Sequence, residues 1–258
     1  MLLVDCHVHL WPIFEPPSLL EAAADCFLGS GLGPTEGVLL LTLTKGESLE
    51  AFEDRLKTQN FWQRTKEVPS QWARQSDGFL LSLIPGRQVV SRDGIEVHGF
   101  FDESVEESVV DGLPAEEICR RWLAQEVRVV LPYGVGKWTG KRGKVIGQIL
   151  NENPRCMVSD SGNRWKGIPF ERALHQINYR GKVLAGSDPL PLKGQLQRVG
   201  SFGIQLPQFD WSNRRSKDLL DEIFDPQKEA SRYGDGAALP TFFRSQFQMQ
   251  WRKRFAKR

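Results

Sequence analysis

The chain has 258 residues and 29.3 kDa, with 40% hydrophobic and 26% charged residues, an ordinary globular composition that can bury a full core. A net charge of +2 excludes a binder that attracts polyanions over its whole surface and leaves only local basic clusters. No apolar run approaches the roughly 20 residues that cross a bilayer. The N-terminus lacks the basic-then-apolar pattern of a secretory leader. The scattered Cys6, Cys26, Cys119 and Cys156 form no C-x-x-C pair, so reduced thiols and a cytoplasmic location are expected.

In chain order, the apolar run Leu2-Leu3-Val4 opens a strand that continues into Asp5-Cys6-His7-Val8-His9-Leu10. A Pro-rich loop from Trp11 to Pro17 follows, and Ser18 is placed to cap a helix reaching about Phe27. Gly37 to Thr42 reads as a parallel strand covered on both faces, and Glu47 to about Gln63 has helical spacing. Phe79 to Ile84 is a strand. Gln88–Ser91, Arg92-Asp93-Gly94 and Ile95–Phe100 read as a hairpin whose turn carries the glycine it needs. Strands and helices then alternate: helix Leu113–Gln125, strand Val127–Pro132, helix Lys141–Asn151, strand Cys156–Ser159, helix Phe170–Asn178 and strand Val183–Ser187. Gly200–Leu206 is the last extended piece, with helical stretches over Lys217–Phe224 and Thr241–Phe255 behind it. Roughly seven strand–helix units without a composition break predict one α/β domain over 1–258, a distorted TIM-like (β/α) barrel of about seven strands. No Gly-x-Gly-x-x-Gly or Walker-type motif favours a nucleotide-binding sheet instead.

Side chains alternate along a strand, so His7 and His9 share a face and can chelate one ion. In a barrel, functional groups gather past the C-terminal strand ends. Those positions supply His7 and His9, then Thr44 and Lys45 (poor ligands), then Glu96 with His98 on the same face. Further on they supply Lys137, Asp160 and Asp188. The metal set is therefore His7, His9, Glu96, Asp160 and Asp188, a donor mix suited to one or two Zn, Mn or Fe ions. His98 reads as a packed or exposed histidine, and mid-helix His175 as structural. Asp188 and Asp160 are the candidate proton acceptors for a metal-activated water. Lys137, Arg142 and Arg164, in Gly-rich loops, form a cationic cradle for a small anionic substrate.

Val4-Asp-Cys-His-Val-His-Leu10 resembles the first metal motif shared by the amidohydrolase superfamily and the PHP (polymerase and histidinol phosphatase) phosphoesterases. Gly94-Ile-Glu-Val97 and Gly186-Ser-Asp188 are similar to two later PHP motifs and follow in the expected order. The resemblance implies a metal-dependent hydrolase of a phosphoester, with His7, His9, Glu96 and Asp188 as ligands. Lys45 and Pro189-Leu190 stand where that pattern has further histidines, so one or two ions are implied rather than three. Two alternatives remain open: an amidohydrolase-type enzyme acting on C–N or C–C bonds, and a non-catalytic relative that binds a partner. The basic end Arg252-Lys-Arg254, Lys257-Arg258 could touch nucleic acid, but its aromatics are expected to pack on the body and leave the cations to the helix terminus. Sequence leaves the oligomeric state open.

Overall fold

Alternating apolar runs and amphipathic stretches set the order of elements. The computed structural model describes residues 1–65, 70–101, 112–207, 209–213, 215–228 and 230–255, the side chains of Lys253 and Phe255 excepted. The first half contains β1 (Leu2–Val8), α1 (Pro16–Leu28), β2 (Glu36–Leu41), α2 (Leu49–Lys57), β3 (Trp62–Arg64), β4 (Ser70–Arg74) and β5 (Leu80–Ile84). It continues with β6 (Gly86–Val90), β7 (Glu96–Phe100), α3 (Ala115–Ala124) and β8 (Arg128–Pro132). The second half has α4 (Gly140–Glu152), β9 (Met157–Ser161), α5 (Phe170–Gln176), β10 (Val183–Gly186), a 3₁₀ helix Lys193–Arg198, and β11 (Phe202–Leu206). The chain ends on α6 (Ser216–Phe224), β12 (Ser231–Gly234) and α7 (Leu239–Phe255). Helix α1 begins at Pro16, ahead of Ser18, because two prolines pre-set φ for a first turn that needs no side-chain cap.

The closed barrel expected from the sequence is not what forms. The strands make two mixed sheets, one of seven strands in the order β12-β11-β1-β2-β5-β4-β3 and one of five in the order β10-β9-β8-β7-β6. The reason lies in the pairing of β1. Its Leu2–Val4 half is paired with antiparallel β11 on one edge and with parallel β2 on the other, so β10 cannot join the ladder there. Antiparallel β3, β4 and β12 extend the first sheet outward, and β6–β7–β8 is antiparallel within the second. Backbone hydrogen bonds join the two sheets at the Leu43–Arg87 bridge and where the Asp188 N–H donates to His7 O at 2.9 Å.

Three apolar clusters hold these layers. One lies between the first sheet and α1 and α2 (Leu3, Leu39, Phe27, Phe52), and another between the second sheet and α3 to α5 (Val97, Val158, Trp122, Phe170). The third fills the space between the sheets with Val4, Val38, Ile84, Phe100, Val130 and Met157, backed by Leu219 and Ile223 of α6. Cluster membership therefore reports which way each strand position points. Among the described residues no helix is long and apolar enough to cross a membrane. The four cysteines are unpaired, three of them buried.

Candidate metal centre

β1 changes phase just before its histidines. Leu3 faces the helices and Val4 the inter-sheet core, so strict alternation would send His7 and His9 toward α1. The register to β2 shifts between Asp5 and Val8, and this irregularity inverts the alternation. Val8 then packs with the helix-side cluster, and the imidazoles flanking it turn to the other face.

Asp5 fixes this bend. Its Oδ1 accepts N–H bonds from His7 (3.2 Å) and Ser187 (2.8 Å), and its Oδ2 accepts one from Gly200 (2.9 Å). One buried carboxylate thus ties the end of β1 to the end of β10 and to the loop entering β11. Burial pushes its carboxyl up to about 6. Gly186 permits the approach of β10, because a Cβ there would lie 2.3 Å from the His7 nitrogen. Asp188 follows with φ of 48°, a left-handed conformation that aspartate adopts more readily than most non-glycine residues.

The result is a tight triangle. His7 Nε2 lies 3.2 Å from His9 Nε2 and 3.5 Å from Asp188 Oδ1, and His9 Nε2 lies 4.0 Å from the same oxygen. An ion at about 2.0–2.2 Å from each of three such atoms would set them about 2.9–3.5 Å apart. Two edges match and the third needs a small closure. Among the described residues, these three form the group of His, Cys, Asp and Glu donors within 4.8 Å of one another. Burial, with His9 and Lys137 nearby, holds the His7 imidazole well below its ordinary value, so it is neutral at pH 7 and its lone pair is available. Burial raises the Asp188 carboxyl, opposed by His9, by the Ser161 hydroxyl that donates to its Oδ2 at 2.8 Å, and by Lys137 and Arg198. The donors fit a divalent ion held by three protein ligands with a position left for water or substrate.

Groups around the triangle orient it. Glu47 Oε2 stands 3.5 Å from His9 Nδ1, long for a hydrogen bond, and accepts the Thr44 N–H and hydroxyl at 2.6 and 2.9 Å. Its other oxygen is buried without a partner. A carboxylate there favours the tautomer with the proton on Nδ1 and the lone pair on Nε2. Trp11 stacks on His9 with ring centroids 4.5 Å apart and donates to Pro189 O at 2.7 Å. His98 is fully buried, edge-on to His7 at 4.4 Å, with Nε2 2.7 Å from Gln88 Oε1. Burial, then His7, His9 and Lys137, keep its imidazole well below the ordinary value.

The other expected residues are placed differently. Glu96 shares the inward face of β7 with His98 but binds Lys137 Nζ at 2.5 Å, so the metal group of described residues does not contain it. Asp160 has the parity of Val158, which points to the helices, and both its oxygens accept from Arg164 at 2.6 and 2.7 Å. Arg232 adds a third bond to Asp160 at 3.0 Å. This pairing also takes Arg164 out of the expected cradle. The Arg142 guanidinium lies against Gly94 in the hairpin turn. Arg198, half-buried and near enough for its charge to act on Asp188, was not expected; nothing in its sequence context marks it. His175 is an exposed residue of α5. On α7, Phe243, Phe247 and Trp251 are 62%, 68% and 56% exposed, contrary to the packing expected of them. Lys257, Arg258 and the Lys253 side chain lie outside the described residues.

An α/β fold of two mixed sheets, with a His-His-Asp triangle where they meet, defines the class of molecule. It is similar in fold to PsfC from Pseudomonas syringae PB-5123, with TM-score 0.51 and 14% identity over 97% of both chains. Two weaker likenesses are to the lesion-specific endonuclease PfuEndoQ from Pyrococcus furiosus and to Endonuclease Q in complex with a 27-mer duplex carrying an abasic lesion. Their TM-scores are 0.47 and 0.46 at 12% and 14% identity, covering 86% and 85% of this chain and 55% of each of theirs. Identities this low reach the fold and stop there. No protein-family model matches the chain, and no curated protein matches it in sequence.

Proposed function

We propose that the chain is a metal-dependent hydrolase of a phosphoester or related anionic substrate. The observation that carries this reading is the spacing of His7 Nε2, His9 Nε2 and Asp188 Oδ1 at 3.2, 3.5 and 4.0 Å. A divalent ion held there would supply a water acidified to a pKa of about 7. His7 and His9 hold, with Asp188, the three donor atoms, and Glu47 keeps the His9 lone pair aimed inward. Asp188 presents Oδ1 to the imidazoles while Ser161 steadies Oδ2, which puts a carboxylate beside the ion's position as the proton acceptor. Lys137 offers the cation that an anionic substrate needs, exchanging its Glu96 partner for the substrate. The order of the PHP-like motifs supports the phosphoester over a C–N bond as the scissile group.

The test is turnover of bis(p-nitrophenyl) phosphate by protein loaded with Mn²⁺ or Zn²⁺. Hydrolysis abolished by His7→Ala and by His9→Ala is expected. Metal-replete protein inert on a panel of phosphoesters, yet able to cleave amides or hydantoins, would overturn the phosphoester assignment.

A further inference from the structure

The aromatic stripe of α7 is an exposed apolar feature that the metal centre does not use. Phe243, Phe247 and Trp251 recur every fourth residue and therefore lie along one face, one per turn. Arg244 is three residues before Phe247 and Arg254 three after Trp251, so cations interleave with the rings on that face. Residues 239–258 contain six Lys and Arg and no Asp or Glu. The helix is docked by its other side, through Gln195 Nε2 donating to Ser245 Oγ at 2.8 Å and Arg252 bonding to Pro191 O. Phe247 and Trp251 consequently border a cleft of about 800 Å³, whose opposite wall is Leu192–Gln195 with Lys193. That wall follows Asp188 by a few residues, and Trp11 holds Pro189 between them.

We propose that this cleft binds a single strand of nucleic acid, with bases stacked on Phe247 and Trp251 and phosphates on Arg244 and Lys193. The proposal goes beyond the hydrolase reading and does not rest on it. Every base has a π-face, so stacking needs no sequence, and unpaired bases are the ones free to stack. Duplex bases are already stacked on one another and fit poorly. A bilayer surface requires aromatics segregated from a separate basic face, whereas here arginines and rings alternate on one face beside a concave wall. A second copy of α7 would set six cations against six with no acid to offset them. Charge and aromatic interleaving together favour a strand of DNA or RNA.

Fluorescence anisotropy of labelled dT20 and rU20 tests this on the full chain. Binding that weakens steeply with salt is expected, with duplex DNA, poly-glutamate and phosphatidylserine vesicles bound more weakly. Phe247→Leu/Trp251→Leu keeps apolar bulk but removes the π-faces, and should weaken binding about tenfold or more. Arg244→Ala should reduce the salt slope by about one. His7→Ala should leave binding unchanged, which separates this surface from the metal centre. The proposal is overturned by no binding at low salt, by Leu variants that bind like the wild type, or by duplex, poly-glutamate or vesicles binding as tightly as the single strands.

Discussion

Asp5→Asn tests whether one buried carboxylate organises the meeting of the two sheets. Asp5 accepts three backbone N–H groups through two oxygens and is fully buried. Asparagine matches its volume but has one acceptor oxygen, and its amide would face another donor. Relative to the ionised carboxylate, at least one buried N–H is left unpaired beside a donor–donor contact, a cost of about 1–3 kcal/mol. The pH dependence is more diagnostic. The Asp5 carboxyl is raised from 3.8 to about 6 by burial. Between about pH 4 and pH 6 the folded protein therefore keeps a proton that the unfolded chain has released, and wild-type stability falls as pH rises through that window. The fall is about 3 kcal/mol at 1.36 kcal/mol per pH unit. The variant lacks this titration, so the gap between the two proteins should narrow by that amount from pH 4 to pH 7. Urea denaturation at each pH, with chelator present to keep metal out of the linkage, measures it. A gap that stays constant, or widens toward pH 7, refutes the reasoning.

Three further substitutions address the neighbours of the triangle. Gly186→Ala pushes a methyl into the His7 backbone and should cost at least about 1–3 kcal/mol in a melt while weakening metal uptake. Uptake unchanged in a folded variant would mean that β10 does not position His7. Glu47→Gln should keep the fold and lower metal affinity about 10- to 100-fold in a calorimetric titration, as loss of a carboxylate behind a ligating imidazole does. Wild-type affinity would remove Glu47 from the account. Asp160→Asn breaks a buried pair with Arg164 and should destabilise by about 3–5 kcal/mol with metal affinity intact. Lost affinity in a folded variant would make Asp160 a ligand after all.

What sequence revealed depended on whether local pattern or distant contact decided each feature. Continuous apolar runs marked β1, β2, β5 and β8, and Gly94 marked the β6–β7 hairpin. β3, β4 and β12 are short and polar in places, with exposed residues such as Gln63, Arg64 and Arg232, so no periodicity announced them. Those antiparallel additions extend the first sheet, while the pairing of β11 with β1 keeps β10 out of its ladder. His7 and His9 were legible as a pair, although the shift that turns them inward is a property of the β1–β2 pairing. The end of β2 itself offers only Thr44 and Lys45, which are poor ligands. Gly46, at φ of 94°, bends the chain so that Glu47 returns to His9. Asp160 had the right distance along its strand and the wrong parity. The α7 aromatics were expected inside because large apolar side chains usually are. Their arginine neighbours were the contrary signal.

The central claim is that His7, His9 and Asp188 hold one divalent ion. Metal-free protein titrated with Zn²⁺ or Mn²⁺ in a calorimeter, beside His7→Ala, His9→Ala and Asp188→Ala, measures it directly. The account predicts one tight site in the wild type and its loss in each folded variant. No binding by the wild type, or undiminished binding by all three variants, would contradict it.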